Sequence, residues 1–258
     1  MIYIHSIKLK KELPKTSYLS RLPVIKNLKA MGELTFDKPV TFLVGENGIG
    51  KSTLIEAIAV GFGFNPEGGS KNYNFYTKNT HSALVDYTTL VKSYHHAKSG
   101  YFLRAESFYN TISYKDYLDT DAASRTNDRT YFDQILDGNA YEYSSHNMSH
   151  GESFLDAVQN FQGNGLYIFD EPEAALSPSG IMKLMAHINS LVKENCQFII
   201  STHSPMLISL PNSDVYQLSK DSIEKVPFNQ TDHYTMTRRF LESPEKMLKY
   251  LLSDEDEK

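Results

Sequence analysis

The sequence is poor in the residues that stabilise secreted domains and in those that cross membranes. Its only cysteine, Cys196, cannot form an intramolecular disulfide, which agrees with a reducing compartment. No run of about 20 apolar residues is present. The amino terminus alternates apolar and polar residues instead of showing a basic start followed by an apolar stretch. We therefore expect a cytoplasmic protein that does not insert directly into a membrane.

An excess of positive charge is also lacking, because the formal net charge is -5 at pH 7. A broadly basic surface for nucleic acid is therefore not expected, although the charge still allows a local basic patch, especially one formed by two subunits. The chain has 258 residues, of which 40% are hydrophobic. This length fits one sizeable domain with a full core and room for a subsidiary lobe.

Strand-like and helix-like patterns alternate along most of the chain. Apolar or alternating runs are typical of strands, and amphipathic runs are typical of helices. The predicted strands are 2–10, 33–44, 101–109, 165–169 and 196–202, the predicted helices are 52–60, 179–194 and 234–252, and 61–82 is interpreted as loop. This order predicts an α/β fold with a mostly parallel central sheet.

A phosphate-binding loop is the strongest single motif. Residues 45–53, GENGIGKST, match the pattern GxxxxGK[ST] between a predicted strand and a predicted helix. Glycines let successive backbone N–H groups converge on phosphate oxygens at the positive end of the helix. Lys51 is expected to reach the β- and γ-phosphates, and the Ser52 hydroxyl to ligate Mg²⁺. The other predicted nucleotide-binding residues of the loop are Asn47, Gly48, Gly50 and Thr53.

Two neighbouring carboxylates, Asp170 and Glu171, follow the apolar run 166–169. Their placement permits two roles. Asp170 would hold the shell of Mg²⁺, while Glu171 would orient and polarise an attacking water as the general base. On its own the pattern also fits an ordinary strand end with solvated acids, but its combination with the phosphate loop favours the catalytic interpretation.

These motifs, together with three shorter ones, resemble the ABC class of ATPases. Residues 149–153, SHGES, resemble the ABC signature, and residues 174–178, AALSP, resemble the D-loop. Residues 201–205, STHSP, resemble the segment that carries the switch histidine. The sequence is most similar to the RecF-like, SMC-like and OLD-like side of the class, in particular to short bacterial ATPases that carry GENGxGKST, SHGES and DEPEAALSP.

The resemblance implies roles for further residues. The signature would open a helix and cap the γ-phosphate held by a second subunit, through Ser149, Gly151 and Glu152. His203 would sense the γ-phosphate and support the attacking water, beside the catalytic residues Lys51 and Glu171. The cofactors implied are ATP and Mg²⁺, and the partner implied is a second copy that pairs head to tail on ATP binding.

The sequence departs from transporter ATPases of this class at one motif. It has no clear equivalent of their glutamine loop, and Glu106, within RAES at 104–107, occupies the corresponding place. Glu106 is therefore a candidate metal contact, with an outward-facing strand carboxylate as the alternative. For the adenine base, Tyr18 and Arg21 are candidate contacts or plain surface residues. Histidines elsewhere lack ligand spacing, so no zinc site is expected.

We accordingly expect a single ABC-type ATPase domain over residues 1–258. Its core would comprise 1–110 and 154–258, including an antiparallel β part near the amino terminus, and a small helical lobe over about 111–153 would end in the signature. The expected function is Mg-dependent ATP hydrolysis that drives a nucleic-acid-related or defence process, with nucleic acid or an effector protein as partner. The alternatives are the nucleotide-binding subunit of a transporter with a separate membrane partner, and an ATP-dependent regulatory switch.

Overall fold

The computed structural model describes residues 1–66, 68–70, 83–104 and 150–252. Within these ranges ten strands form two sheets. The strands are β1 Ile4–Leu9, β2 Glu33–Thr35, β3 Val40–Gly45, β4 Gly69–Ser70, β5 Thr88–Lys92, β6 Ser99–Arg104, β7 Gly165–Asp170, β8 Gln197–Ser201, β9 Ser213–Leu218 and β10 Ile223–Lys225. The α-helices are α1 Pro23–Met31, α2 Lys51–Phe62, α3 His150–Gln159, α4 Pro178–Lys193, α5 Asp232–Glu242 and α6 Pro244–Leu252.

The larger sheet has seven strands in the order β10-β9-β3-β8-β7-β6-β4. Its five central strands run parallel, and β10 and β4 pair antiparallel at the two edges. Every residue of β3, β7 and β8 is buried, which explains why these strands are continuous apolar runs in the sequence. Parallel order places the carboxyl ends of these three strands side by side.

Helices cover both faces of this sheet. Side chains of α2, such as Leu54 and Ile58, belong to one core cluster with Ile168 of β7. Side chains of α3 and α4, such as Phe154 and Leu184, belong to the other core cluster. Alternate residues of each strand thus point into two separate cores, as the two-residue period of a strand requires.

The smaller sheet is antiparallel, in the order β2-β1-β5, and a buried glutamine joins it to the larger one. Gln197 of β8 is completely buried. Its Oε1 accepts from the backbone N–H groups of Tyr3, at 2.7 Å, and Ile4, at 2.9 Å. Its Nε2 donates to the Ile4 carbonyl at 2.9 Å, so one side chain satisfies three buried backbone groups.

The α/β class, the mostly parallel sheet and the antiparallel amino-terminal part are confirmed. The sequence analysis missed α1, β5, β9 and β10, placed β4 inside a loop, and merged α5 and α6, which separate at Ser243. It also predicted one strand over 33–44, where β2 and β3 are separate strands that belong to different sheets. The expected helical lobe lies almost wholly outside the described residues, as does the end of the strand predicted to reach 109. Over the described ranges, no helix has the length and apolar character needed to span a bilayer.

Candidate functional site

The loop between β3 and α2 is shaped by glycines. Gly48 and Gly50 have φ values of 80° and 104°, in the region that residues with a Cβ adopt at a cost. A Cβ on Gly50 would lie 2.5 Å from Cγ1 of Val24 on α1, whereas one on Gly48 would meet nothing within 4 Å. Backbone conformation alone therefore requires glycine at 48, and both conformation and space require it at 50.

Lys51 opens α2 and folds back onto the loop. It is only 4% exposed. Its Nζ donates to the carbonyl oxygens of Gly45, at 2.8 Å, and Glu46, at 3.1 Å. Burial lowers the pKa of Lys51, while the nearby carboxylates, with Glu171 first, act in the opposite direction. The ammonium group thus lies at the centre of the loop, facing the acidic strand end.

Asp170, the last residue of β7, gathers hydroxyl groups from two other segments. The parallel register sets it beside Ser201 of β8, whose hydroxyl donates to Oδ1 of Asp170. The hydroxyl of Ser52, on α2, donates to the same oxygen at 3.2 Å. Burial raises the pKa of Asp170, and these two hydrogen bonds oppose that rise. The loop and the acidic strand end, distant in sequence, therefore meet at one carboxylate.

Glu171 adopts an unusual backbone conformation. Its φ is 53°, and the other described non-glycine residues with positive φ are all asparagines: Asn164, Asn195 and Asn212. Asparagine tolerates this region, whereas a long side chain adopts it at a cost of about 1–2 kcal/mol. The Glu171 N–H donates to the Ser201 carbonyl at 3.0 Å. With the backbone held in this way, Oε1 of Glu171 lies 3.3 Å from Nε2 of His203.

His203 follows β8 and is held from two sides. Its backbone N–H donates to Oε1 of Glu173 at 2.6 Å. Its ring Nδ1 lies 3.1 Å from Nε2 of His233, in the first turn of α5. The sequence analysis did not predict His233. The only local signal is a histidine two residues after Thr231, which caps α5 by accepting from the Tyr234 N–H.

The sequence matches the RecF/RecN/SMC N-terminal domain family over residues 18–223. The chain belongs to this family. It is an ABC-class ATPase domain of the RecF/SMC type, and the two-sheet architecture agrees with that assignment. No curated protein matches the sequence.

Solved structures of similar architecture share little sequence with this domain. An ATP-binding cassette of an ABC transporter in its ADP conformation is 15% identical, covers 98% of this chain and 100% of its own, and has a TM-score of 0.45. The SMC head domain from Thermotoga maritima is 16% identical, covers 88% of this chain and 99% of its own, and has a TM-score of 0.43. Such values are too low to assign a role to any residue.

The remaining predicted residues of this RecF/RecN/SMC-type domain lie as follows. Asn47 is exposed in the loop, and Thr53 is half-buried on α2. Glu106 and Ser149 fall outside the described residues, while the backbones of Gly151 and Glu152 lie on α3. Tyr18 and Arg21 belong to an exposed 3₁₀ turn, in which Tyr18 is 62% exposed.

Arg104, at the end of β6, is a charged neighbour of Asp170. Its Nη1 lies 3.1 Å from Oε2 of the buried Glu56 and donates to the Pro66 carbonyl at 3.2 Å. Its positive charge lowers the pKa of Asp170, against the larger effect of burial. Arg104 therefore links the end of β6 to α2 and lies beside Asp170 in the sheet.

A cavity of about 390 Å³ opens beside the start of the loop. It lies between Gly45, the turn after β9 and the first turns of α5. The residues that line it on α5 are Asp232, His233 and Met236. The amino-terminal part of α5 therefore lines a cavity next to the loop, and His233 also contacts His203 at the end of β8.

The site offers ligands that suit magnesium more than zinc. The described ranges contain no group of three His, Cys, Asp or Glu side chains able to hold a metal by themselves. Ser52 and Asp170 instead bring two oxygens together at the mouth of the loop. Mg²⁺ commonly takes one or two protein oxygens and completes its shell with water and substrate phosphates. The donor set therefore fits a magnesium ion that arrives with a nucleotide.

Proposed function

We propose that this domain binds MgATP and hydrolyses it to ADP and phosphate as a head-to-tail homodimer. One observation carries the proposal: the Ser52–Asp170 contact and the Glu171–His203 contact lie side by side at the carboxyl ends of β7 and β8. A phosphate loop, a pair of oxygen ligands and a base with its supporting histidine thus meet at one edge of the sheet. These are the parts that phosphoryl transfer to water needs.

Nucleotide binding is assigned to the loop and the start of α2. The backbone N–H groups near Asn47, Gly48 and Gly50, with the Thr53 hydroxyl, would receive phosphate oxygens at the positive end of the helix. Lys51 Nζ, which donates to two loop carbonyls, would exchange them for β- and γ-phosphate oxygens. A buried ammonium group gains most from such an exchange, because phosphate oxygens are charged and carbonyl oxygens are not.

Ser52 and Asp170 would hold Mg²⁺, with Glu106 as a candidate third ligand. When bound, the ion would neutralise charge on the β- and γ-phosphates. Asp170 is prepared for a cation because it is buried and already receives two hydroxyl donors on a single oxygen. Removing this carboxylate should therefore abolish metal-dependent turnover.

Glu171 is the proposed general base for the attacking water. Its carboxylate would accept a proton from a water molecule whose oxygen attacks the γ-phosphorus. The bond from the γ-phosphorus to the bridging oxygen breaks, and its electron pair leaves with ADP. His203 would align the water and the γ-phosphate oxygens, so that catalysis depends mainly on positioning and charge stabilisation.

The dimer is proposed because one copy would hold only part of the site. Ser149, Gly151 and Glu152, at the start of α3, would face the γ-phosphate bound by the partner subunit. A helix amino terminus favours an anion through its dipole and its unpaired N–H groups. A single copy should therefore turn over slowly.

The decisive experiment measures ATP turnover per subunit against protein concentration, together with mass in solution with and without ATP. For wild type we expect turnover per subunit to rise with concentration. For Glu171→Gln we expect turnover to fall about 10²- to 10⁴-fold, the usual contribution of a general base, with an ATP-bound dimer accumulating. Glu224→Gln, which changes an exposed carboxylate on β10, is the matched control. Brisk turnover by a verified monomer would disprove the dimer.

We further propose that hydrolysis drives a nucleic-acid-related or defence process in the cytoplasm, with nucleic acid or an effector protein as partner. Membership of the RecF/RecN/SMC N-terminal domain family supports this choice. Stimulation of turnover by DNA or RNA would support it. Copurification with a membrane protein would favour a transporter subunit, and tight ATP binding with almost no turnover would favour a regulatory switch.

A further inference from the structure

The first turn of α5 is fixed against the site by polar contacts. Thr231 is fully buried and caps the helix. Gln217 of β9 and Asp232 exchange two hydrogen bonds, from Nε2 to Oδ2 at 2.7 Å and from the Asp232 N–H to Oε1 at 2.9 Å. These contacts hold His233 in place, with its Nε2 3.1 Å from Nδ1 of His203. The contact between His203 and His233 therefore depends on two segments, the one after β8 and the first turn of α5, and each is held by its own hydrogen bonds.

The donors and acceptors around the rings of His203 and His233 determine which ring nitrogen of each carries the proton. Nε2 of His203 is buried, makes no hydrogen bond among the described residues, and lies 3.3 Å from the Glu171 carboxylate. A carboxylate favours an N–H on the nitrogen that faces it, and a neutral imidazole has only one N–H. Nδ1 of His203 is then an acceptor, and His233 must donate from Nε2.

The surroundings of His233 keep its ring neutral, as this arrangement requires. Burial lowers the pKa of His233, a proton on His203 would lower it further, and the charge of Lys51 acts in the same direction. The backbone of Gly45 and the carboxylate of Asp232 act in the opposite direction without reversing the shift. Glu171 and Glu173 are further charged groups at this edge, and both contact His203.

We propose that His233 is a positioning residue for hydrolysis, which donates to Nδ1 of His203 and thereby fixes the Nε2–H tautomer. The proposal rests on the proposed ATPase function. In this tautomer the only ring N–H of His203 points to the place where Glu171, the water and the γ-phosphate oxygens would meet. The buried Nε2, which makes no hydrogen bond among the described residues, is thus a donor held ready for substrate.

Without His233, the other tautomer of His203 becomes accessible. Its Nε2 lone pair would then face the Glu171 carboxylate and the phosphate oxygens, which is repulsive. Substrate binding would change little, because the phosphate loop supplies most of the binding contacts. The loss should therefore fall on kcat and leave KM nearly unchanged.

Three variants test the proposal by steady-state ATP hydrolysis. In His233→Ala we expect kcat to fall about tenfold, the effect of one lost hydrogen bond, with KM within about twofold of wild type. In His233→Gln, whose amide N–H can replace the Nε2–H, most of the rate should return. Thr237→Ala, an exposed change one turn further along α5, should match wild type. Equal rates in His233→Ala and wild type, or no rescue by glutamine, would overturn the proposal.

A spectroscopic measurement separates this proposal from the ATPase assignment. Nitrogen-15 NMR of the histidine rings in the nucleotide-free protein reports which nitrogen of His203 carries the proton. We expect an unprotonated Nδ1 in wild type and in His233→Gln, and a mixture of tautomers in His233→Ala. A protonated Nδ1 in neutral wild-type His203 would refute the proposal even if the enzyme is active. Absence of ATP turnover in wild type would refute the ATPase assignment and leave the tautomer result standing.

Discussion

The central strands and the two carboxy-terminal helices meet at one site, yet they are held in different ways. Every residue of β3, β7 and β8 is buried between two cores. Helices α5 and α6 contain no buried residue, and Met236, Leu241 and Leu252 are 64%, 71% and 75% exposed. The sheet is thus stabilised by apolar burial, while the described contacts of α5 with the site are mainly polar and lie at its first turn.

This difference indicates that the stability of the domain and the geometry of the site can be changed by separate substitutions. Substitutions inside the sheet should lower the free energy of unfolding of the whole domain. Substitutions along the outer face of α5 and α6 should leave it nearly unchanged, although α5 carries His233, which contacts His203. Four predictions test this contrast, from the largest expected effect to the smallest.

Replacing Gln197 by leucine should have the largest effect. The change removes three hydrogen bonds and leaves the N–H groups of Tyr3 and Ile4 and the carbonyl of Ile4 buried without these partners. We expect the free energy of unfolding to fall by about 4 kcal/mol, measured by urea denaturation. Gln159→Leu, at an exposed position on α3, is the control and should change it by less than about 0.5 kcal/mol. If Gln197→Leu lowers the free energy of unfolding by less than about 1 kcal/mol, the proposed difference between the sheet and the carboxy-terminal helices is wrong.

Alanine at Gly45 and at Gly48 should have unequal effects. A Cβ on Gly45 would lie 2.3 Å from the Leu218 carbonyl oxygen, so β3 and β9 would have to separate, whereas a Cβ on Gly48 would meet nothing within 4 Å. We expect a loss of about 3 kcal/mol for Gly45→Ala from overpacking and about 1 kcal/mol for Gly48→Ala from its positive φ. Denaturant midpoints measure both. Equal losses would mean that the strand pair is not as closely packed as described.

Tyr167→Phe tests the buried face of β7 through pH. The Tyr167 hydroxyl donates to the Gln162 carbonyl at 2.6 Å and accepts from its N–H at 2.8 Å, so its loss should cost about 2 kcal/mol at pH 7. Burial raises the pKa of Tyr167 from 10.0 to about 12. A raised folded-state pKa gives wild type stability that is complete below pH 10 and lost as pH rises towards 12.

Phenylalanine has no proton to lose, so the stability gap between the two proteins should narrow with pH. At pH 12 the stability gap should be about 2 kcal/mol smaller than at pH 7. Proton linkage gives this amount for one group, Tyr167, whose pKa is raised from 10.0 to about 12 on folding. Urea denaturation of both proteins at several pH values measures the gap. A constant gap would contradict a buried hydroxyl at this position.

Leu241→Ser should have the smallest effect. Leu241 is 71% exposed on α5, and surface changes of this kind usually alter the free energy of unfolding by less than about 0.5 kcal/mol. The unfolding midpoint should also be independent of protein concentration. A larger loss of unfolding free energy that depends on protein concentration would show that a second copy covers this helix face in solution. The difference between the sheet and the carboxy-terminal helices would then apply only to the isolated chain.

The sequence predicts the parts of this domain whose determinants are local. Strands buried on both faces appear as continuous apolar runs, so they could be predicted, and a contiguous glycine-rich motif is enough to predict a turn between β3 and α2. Strand β9 was missed because it contains the buried Asp214, whose carboxylate pairs with Lys38 and Lys225 and interrupts the apolar pattern. His233 was missed because its role depends on a contact with His203, between two segments that only the fold brings together.

The left-handed backbone at Glu171 has a consequence for what this residue contributes to the domain. At the other described non-glycine positions with such a backbone the chain has asparagine, which adopts this conformation with little strain. A sequence chosen for stability alone would have asparagine or glycine at 171 as well. The strain at Glu171 therefore does not serve stability, which agrees with the role proposed for its carboxylate, because strained backbone is often found at functional sites.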